Sequence, residues 1–174
     1  KLEVIANGHR APNGMSVGPN GEITSADNEG NWVPASRVNL VKRGGFYGHV
    51  YTAHRKQHPI DYDKPLLWLP HQVDNSSGGQ VWVASDRWGQ PKGDLLHLSY
   101  GRCRMFKIMP EEVGGQPQGG AVQFPLRFDS GIMRGRFNSQ DGQLYVVGLK
   151  VWQTSGARYG AFHRVRYTGK PVNM

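Results

Sequence analysis

Two arginine-bearing segments, far apart in the chain, are the features most suggestive of chemistry. Arg10 lies in the run Gly-His-Arg-Ala-Pro-Asn-Gly at residues 8–14. Arg134 and Arg136 lie in the run Met-Arg-Gly-Arg-Phe at residues 133–137. Each run opens a strand-like stretch that a turn then closes. Because arginine is always charged and binds oxyanions as a planar fork, guanidinium groups so placed could converge on one carboxylate-rich ligand. The pattern predicts a pocket for an anionic cofactor.

Length and charge limit the kinds of protein this can be. The 174 residues suffice for one domain with a core but not comfortably for two, so we expect residues 1–174 to form one unit without a second domain. There are 21 Lys and Arg against 13 Asp and Glu, a formal net charge of +8, which favours an anionic partner. No run of five or six basic residues occurs, so nucleic acid is not the expected partner. No apolar run approaches the ~18 residues of a membrane span.

Cysteine usage excludes several kinds of site. Cys103 is the only cysteine, so an internal disulfide, a CxxC zinc pair and a CxxCH haem attachment are all excluded. The residues around it, 102–106, alternate as in a strand. We therefore expect a buried structural thiol on a strand rather than a nucleophile.

The composition indicates strands rather than helices. Twenty-four glycines and eleven prolines disfavour long helices. Short alternating segments bounded by turn residues recur instead, as expected for half-buried strands. They lie at residues 21–25, 80–84, 95–98, 104–108, 143–147 and 162–167.

Glycine-rich turns suggest a repeat. Turns at residues 18–21, 76–79 and 140–142 each precede a β-rich run, and their last glycines are roughly 60 residues apart, which suits propeller blades enlarged by loops. The enlarging loops are expected at residues 51–66 and 110–120. About three blades' worth of strands is present, too few to close a ring, so sheet edges should be exposed.

Several motifs resemble one enzyme family. After the run that contains Arg10, further segments follow in the order and approximate spacing of the soluble pyrroloquinoline-quinone (PQQ) glucose dehydrogenases and their sorbosone-dehydrogenase-like relatives. These segments lie at residues 19–21, 25–30, 37–41, 44–48, 66–70, 76–78, 95–102, 134–137 and 141–146. Residues 73–82 and 164–171 are also similar to large exported propeller proteins of planctomycete-type bacteria. The resemblance implies an all-β fold of antiparallel four-stranded blades that form about half, the C-terminal half, of a six-bladed β-propeller. It also implies a periplasmic or extracellular location.

The same resemblance implies roles for individual residues. Arg10 would be catalytic and would also bind the cofactor, since a fixed cation at the quinone carbonyl favours the negative charge that develops there. Trp68 would lie beside the ring system of PQQ, and Arg134 and Arg136 would bind its carboxylates. Structural roles stay open for the three arginines: Arg10 could cap carbonyl groups, and the other two could be solvated strand residues.

The resemblance also implies a calcium site, and the sequence differs from the family pattern at two positions. By the resemblance, Gly30 and Asn31 offer backbone carbonyls to a calcium ion that would polarise the quinone. Ala11 stands where the family has an amide side chain, and Gly101 stands where it has a cofactor-binding lysine. Arg102 is adjacent and could replace that lysine, although neighbouring strand positions face opposite sides.

Two functions remain open from the sequence. The first is part of a PQQ- and calcium-dependent sugar or alcohol dehydrogenase, with a cytochrome as a possible electron acceptor. The second is a non-catalytic propeller module that binds an anionic ligand, a polysaccharide or a protein. The family's general base belongs to an N-terminal blade that this chain does not include, so the isolated chain is predicted to be inactive. The remaining blades, or a second copy of the chain, are expected to cover the open edges.

Overall fold

Three antiparallel β-sheets follow one another in chain order. The computed structural model describes residues 1–169, and within them eleven strands form the sheets. The first sheet contains, in spatial order, β1 (Pro12–Val17), β2 (Ile23–Asp27), β3 (Ser36–Leu40) and β4 (Leu67–Leu69). A short 3₁₀ turn, Val50–Thr52, lies in the long connection between β3 and β4.

The second and third sheets repeat this up-and-down order. The second sheet contains β5 (Ser77–Trp82), β6 (Leu95–Ser99), β7 (Arg104–Val113) and β8 (Gln116–Gln123). The third contains β9 (Gly131–Phe137), β10 (Leu144–Leu149) and β11 (Gly160–Val165), three strands within the described part of the chain. The prediction of an all-β partial propeller is confirmed. Residues 1–169 contain no helix that is long and apolar enough to cross a membrane.

The first strands of the three sheets, β1, β5 and β9, lie side by side. Glycines permit this close approach, because a Cβ atom at Gly78 would lie 2.6 Å from the carbonyl oxygen of Ile132 on β9. A Cβ atom at Gly14 on β1 would likewise overlap the backbone of Gly78. Residues of the two distant arginine segments become neighbours in this way.

Apolar cores fill the junctions between neighbouring sheets. Between the second and third sheets, alternate residues of β10 are buried, with Leu144 at 0% and Val146 at 1% exposure. Between the first and second sheets the core contains Val38, Leu66, Leu67, Leu69, Leu95, Phe106 and Ile108. Burial of every second residue is typical of strands packed on one face.

Residues 110–120 form a hairpin, so the prediction of a loop there was wrong. β7 continues through Pro110 to Val113, and β8 returns from Gln116. The two glycines at the tip, Gly114 and Gly115, have φ angles of 58° and 78°. Most of this extension is exposed, so its side chains show none of the alternation that marks a half-buried strand.

Two further local predictions need correction. Residues 76–79 belong largely to β5 rather than to a turn, whereas Gly21 and Gly142 do make turns, with φ angles of 87° and 71°. Gly79 therefore lies in a strand while Gly21 and Gly142 lie in turns. The distance along the chain between these three glycines does not measure a structural repeat. Cys103 is buried as predicted, but it lies in the turn before β7 with a φ of 54° rather than on a strand.

Candidate functional site

A cleft of about 580 Å³ runs along the outward side of the first sheet and reaches the inner strands β5 and β9. Its lining includes the arginine pair of β9 together with polar side chains of the first sheet. The polar lining residues are Glu3, His9, Asn13, Ser25, Gln80, Arg134 and Arg136. The cleft thus joins the two arginine-bearing segments of the sequence.

Arg134 and Arg136 lie on the same face of β9, as expected for strand positions two apart. Both are exposed, and Gly135 between them is buried. Their guanidinium groups donate to backbone carbonyls, at 2.9 Å from Arg134 to Met133 and at 2.7 Å from Arg136 to Gly135. Neither forms an ion pair with an acidic side chain of residues 1–169. Within residues 1–169 these two guanidinium groups therefore lack an ion-pair partner, since Glu3, which also lines the cleft, pairs with Arg43.

Asn13 links these cations to the other two inner strands. Its side-chain Nδ2 donates to the carbonyl oxygen of Ser77 at 2.9 Å, and its Oδ1 accepts from Arg134 Nη2 at 3.4 Å. The amide hydrogen of Ser77 is in turn bound by Asn28 Oδ1 at 2.7 Å. Asn13 lies in the first arginine-bearing run, and its amide side chain on an inner strand is the signal in the sequence that points to it.

Arg10 is anchored through its backbone and has an exposed side chain. The backbone N–H groups of Arg10 and Ala11 donate to the two carboxylate oxygens of buried Asp27, at 2.7 and 2.6 Å. The Arg10 guanidinium lies over Gly30, where a Cβ atom would overlap it. It is not among the residues that line the cleft. The structure thus brings Arg10 together with Gly30, and Arg134 with Arg136, but leaves Arg10 outside the cleft that holds the other two.

Gly30 and Asn31, the predicted calcium ligands, lie in a tight loop. The Gly30 carbonyl already accepts the Val33 N–H at 2.9 Å, and the Arg10 guanidinium covers the Gly30 Cα. Calcium takes six to eight oxygen ligands, and within residues 1–169 no group of three or more His, Cys, Asp or Glu side chains is arranged to hold a metal ion. Two carbonyls beside the Arg10 guanidinium supply too few oxygen ligands and face a positive charge, so these residues do not fit a calcium ion by themselves.

Trp68 stacks on a buried arginine. It is the cross-strand partner of Arg37, whose Cζ lies 4.8 Å from the Trp68 ring centroid. Tyr62 packs edge-on against the same indole at 6.2 Å between centroids. Arg37 is 1% exposed, and this burial lowers its pKa to about 10. Trp68 is half-buried on the outermost strand of its sheet and does not line the cleft.

Arg37 is fixed by three hydrogen bonds. Its guanidinium donates to Asn39 Oδ1 at 2.6 Å and to the carbonyl oxygens of Tyr47 and Asp63 at 2.8 and 2.5 Å. Asn39 Nδ2 then donates to Ser25 Oγ at 3.3 Å. The polar interior of the first sheet thus continues from Arg37 to the wall of the cleft.

His9 completes that polar wall and was not predicted as a site residue. Its Nε2 lies 3.2 Å from Ser25 Oγ, and its ring packs at a tilt against Tyr47, with 4.7 Å between the ring centroids. Burial lowers the pKa of His9, with a further contribution from the positive charge of Arg37, against the opposing charge of Asp27. A neutral imidazole therefore faces the cleft near neutral pH. Its position directly before Arg10 was the available signal.

Arg102 and Gly101 lie in the turn between β6 and β7. The Asn75 side chain fills the space above Gly101, where a Cβ atom would overlap Asn75 Oδ1. Arg102 Nη2 donates to the carbonyl oxygen of His71 at 2.7 Å. Because these residues form a turn, the alternation of strand faces expected for them does not apply. The structure turns Arg102 toward His71, and Arg102 does not line the cleft.

A buried Asp–His–Ser cluster supports the second sheet. Asp74 accepts from His97 Nε2 at 2.7 Å, from Ser99 Oγ at 2.7 Å and from Ser77 Oγ at 2.9 Å. Burial opposes ionisation of Asp74, but these hydrogen bonds outweigh it and the pKa of Asp74 is lowered. All four residues are fully buried, so no substrate reaches them and the cluster is structural despite its triad-like composition.

Comparison with solved structures shows which proteins share this fold. No protein-family model matches the sequence, and neither does any curated protein sequence. A Thermus thermophilus protein described as an oxidoreductase (glucose dehydrogenase) aligns over 94% of this chain and 46% of its own, with 23% identity and a TM-score of 0.66. The PQQ-bound aldose sugar dehydrogenase of Streptomyces coelicolor aligns over 88% of this chain and 40% of its own, with 15% identity and a TM-score of 0.60.

A third similar structure is the apo-form of the soluble aldose sugar dehydrogenase from Escherichia coli. It aligns over 93% of this chain and 46% of its own, with 16% identity and a TM-score of 0.62. The chain therefore spans less than half the length of each of these proteins. The resemblance expected from the sequence is confirmed at the level of the fold: the chain has the architecture of part of a glucose-dehydrogenase-type propeller.

Proposed function

We propose that the chain supplies part of the cofactor pocket of a PQQ-dependent sugar or alcohol dehydrogenase-like propeller. The observation that carries the proposal is the placement of Arg134 and Arg136 on one face of β9, in a cleft of about 580 Å³, with no ion pair to an acidic side chain of residues 1–169. Two such cations suit a ligand with several carboxylates. The PQQ-bound state of the Streptomyces coelicolor structure supports the choice of ligand.

The residues of the chain would bind and orient the cofactor. PQQ, when bound, accepts two electrons from a sugar or alcohol. Arg134 and Arg136 would hold its carboxylates, and Asn13 would fix the Arg134 guanidinium through the 3.4 Å contact. His9 offers a neutral ring that can accept a hydrogen bond at the same wall.

A role for Arg10 at the quinone carbonyl belongs to the proposal through the sequence resemblance alone. Asp27 anchors the Arg10 backbone, and the exposed guanidinium lies over Gly30 and does not line the cleft. Trp68 and Arg102 enter the proposal only through the sequence resemblance, and calcium is not part of it because the loop at Gly30 and Asn31 does not fit the ion. A sugar substrate, a cytochrome acceptor and a periplasmic or extracellular location likewise enter through the resemblance.

Titration of PQQ with the chain, followed by the absorbance of the quinone, tests the proposal. We expect saturable binding that is weakened by about tenfold in Arg134→Ala and in Arg136→Ala, since hydrogen bonds to charged groups contribute ~1.5–3 kcal/mol. Arg104→Ala is the matched control, because Arg104 donates to Gln123 on the second sheet and does not line the cleft. The absence of any absorbance change at near-millimolar protein, or equal weakening by all three variants, would contradict the proposal.

A second candidate is a non-catalytic module that binds another anion in the same cleft. The Asn75 side chain above Gly101 favours it, because it fills the space from which the family's lysine would extend. In this case a polyanionic polysaccharide, rather than PQQ, would bind in a manner that depends on Arg134 and Arg136. Parallel titrations of the same variants with both ligands separate the two functions.

A further inference from the structure

One face of the third sheet combines arginine side chains with aromatic rings. Residues directly opposite each other on β9, β10 and β11 form two rows on this face. The rows are Arg136, Tyr145 and Arg164, and Arg134, Val147 and Phe162. The other face of the same sheet packs on the second sheet through Leu144 and Val146, so both rows point away from that core. We call the surface formed by the two rows the mixed face.

Asp141 orients the Arg164 side chain on the mixed face. Arg164 Nη2 lies 3.1 Å from Asp141 Oδ2, and the Tyr145 hydroxyl donates to the same carboxylate oxygen at 2.8 Å. A guanidinium group has five N–H donors, and within residues 1–169 the contact with Asp141 is the only polar contact of the Arg164 side chain. A ligand's anionic group can therefore bind Arg164 while Asp141 holds the side chain in place.

The aromatic rings lie directly beside the positive charges. Phe162 is 71% exposed, and its ring lies 5.8 Å from the Tyr145 ring between centroids. The Arg164 Cζ lies 5.9 Å from the Tyr145 centroid. Arg136 is opposite Tyr145 on the other neighbouring strand, at the usual strand separation of ~4.8 Å. The mixed face thus offers an apolar platform between guanidinium groups, with one carboxylate against three positive charges.

We propose that the mixed face is a binding subsite for an acidic oligosaccharide. The apolar C–H face of a sugar ring packs on Tyr145 and Phe162, and a carboxylate of the sugar binds the Arg164 guanidinium as a planar fork. The mixed face adjoins the cleft, because Arg134 and Arg136 belong to both. In the proposed dehydrogenase-like function, on which this step rests, the subsite makes the substrate an anionic sugar.

A single-stranded nucleic acid would also combine negative charge with flat rings, but two observations favour the oligosaccharide. Successive bases need separate stacking positions, whereas the rings of Tyr145 and Phe162 lean together at 42° and form one platform. The six residues of the two rows also include no amide side chain that could bind the edge of a base.

Calorimetric titration of the PQQ-free chain with an oligosaccharide of galacturonic acid tests the proposal. We expect saturable binding that is weakened by about tenfold in Arg164→Ala and by about fivefold in Phe162→Ala, since the first variant loses a charge-assisted contact and the second an aromatic ring. The methyl ester of the same oligosaccharide lacks the negative charges and should bind about tenfold more weakly. Arg127→Ala and Tyr159→Ala are the matched controls, because both residues are exposed and lie outside the two rows.

Four results would overturn the subsite. They are the absence of binding at about 1 mM chain, equal affinity for the acid and its methyl ester, equal weakening by the variants and their controls, and tighter binding of a single-stranded oligothymidine than of the galacturonate.

Titration of the same variants with PQQ separates this inference from the proposed function. Arg164→Ala should bind PQQ as the parent chain does, because Arg164 does not line the cleft. PQQ binding without galacturonate binding would overturn the subsite and leave the cofactor pocket standing. Galacturonate binding without PQQ binding would support the subsite and contradict the cofactor pocket.

Discussion

The junction between the second and third sheets and the outward side of the first sheet share the same strand geometry, yet they bury opposite kinds of side chain. In the junction, Leu98 and Leu144 are fully buried among other apolar residues. On the outward side of the first sheet, the buried positions are Ser25, Asp27, Arg37 and Asn39, none more than 7% exposed.

This difference separates a region that stabilises the fold from one that lines the candidate cleft. We call these four buried residues of the first sheet the polar layer. Buried polar groups are tolerated when they are hydrogen-bonded, and this layer is hydrogen-bonded from Arg37 through Asn39 and Ser25 to His9. The same layer holds the backbone of Arg10 through Asp27. The core of the apolar junction consists of hydrocarbon side chains such as Leu98 and Leu144, and its contribution is the burial of apolar surface.

The largest effect is expected from a cavity in the apolar junction. Leu144→Ala removes a fully buried side chain from the core, and such substitutions lower the free energy of unfolding by about 3 kcal/mol. Urea unfolding followed by circular dichroism measures the change. Val113→Ala, at a position 54% exposed, should stay within ~0.5 kcal/mol of the parent chain. Equal losses in both variants would show that the junction is not a close-packed core.

A smaller loss of stability is expected when the guanidinium group of Arg37 is removed from the polar layer. Arg37→Lys keeps the charge, but an ammonium group cannot reach the three acceptors that the guanidinium binds. We expect a loss of about 2 kcal/mol in the free energy of unfolding, since hydrogen bonds from charged groups are stronger than neutral ones. Arg55→Lys is the matched control, because Arg55 is exposed and donates to one carbonyl, that of Gly44. If the two lysine variants are equally stable, the stability of the polar layer does not depend on the Arg37 guanidinium group.

The apolar junctions between the sheets could be predicted from the sequence, whereas the polar layer of the first sheet could not. Alternation at residues 143–147 predicts β10 and its buried Leu144 and Val146, because a strand with one apolar face has an unambiguous period. Arg37 carries no such signal, since a strand arginine is normally solvated. Its burial depends on Tyr62 and Asp63, which come from a long connection whose path the local sequence does not specify.

The candidate site shows the same division. The same-face placement of Arg134 and Arg136 follows from strand geometry alone and is observed. The distance from Arg10 to that pair depends on how the three sheets are arranged relative to one another, which local sequence does not specify. In the structure Arg10 lies over Gly30 instead of in the cleft. Asn13 and His9 were missed because their importance arises from contacts between separate strands, with Arg134 and Ser25 respectively.

The smallest expected effect is the pH response of His9, which reports on how closely the polar layer encloses the cleft wall. Burial lowers the pKa of His9 below its ordinary value of 6.5, so the folded protein favours the neutral ring more than the unfolded chain does. The resulting contribution to stability is fully present above pH 6.5 and is lost as the pH falls through the lower, folded-state pKa. An NMR titration of the His9 ring protons should give a midpoint below 6.5. The parent chain should also lose more stability than His9→Gln between about pH 8 and about pH 5 in urea unfolding, because glutamine does not titrate. A midpoint at or above the ordinary value would mean that His9 is solvated, and the polar side chains of the first sheet would then not enclose this wall of the cleft.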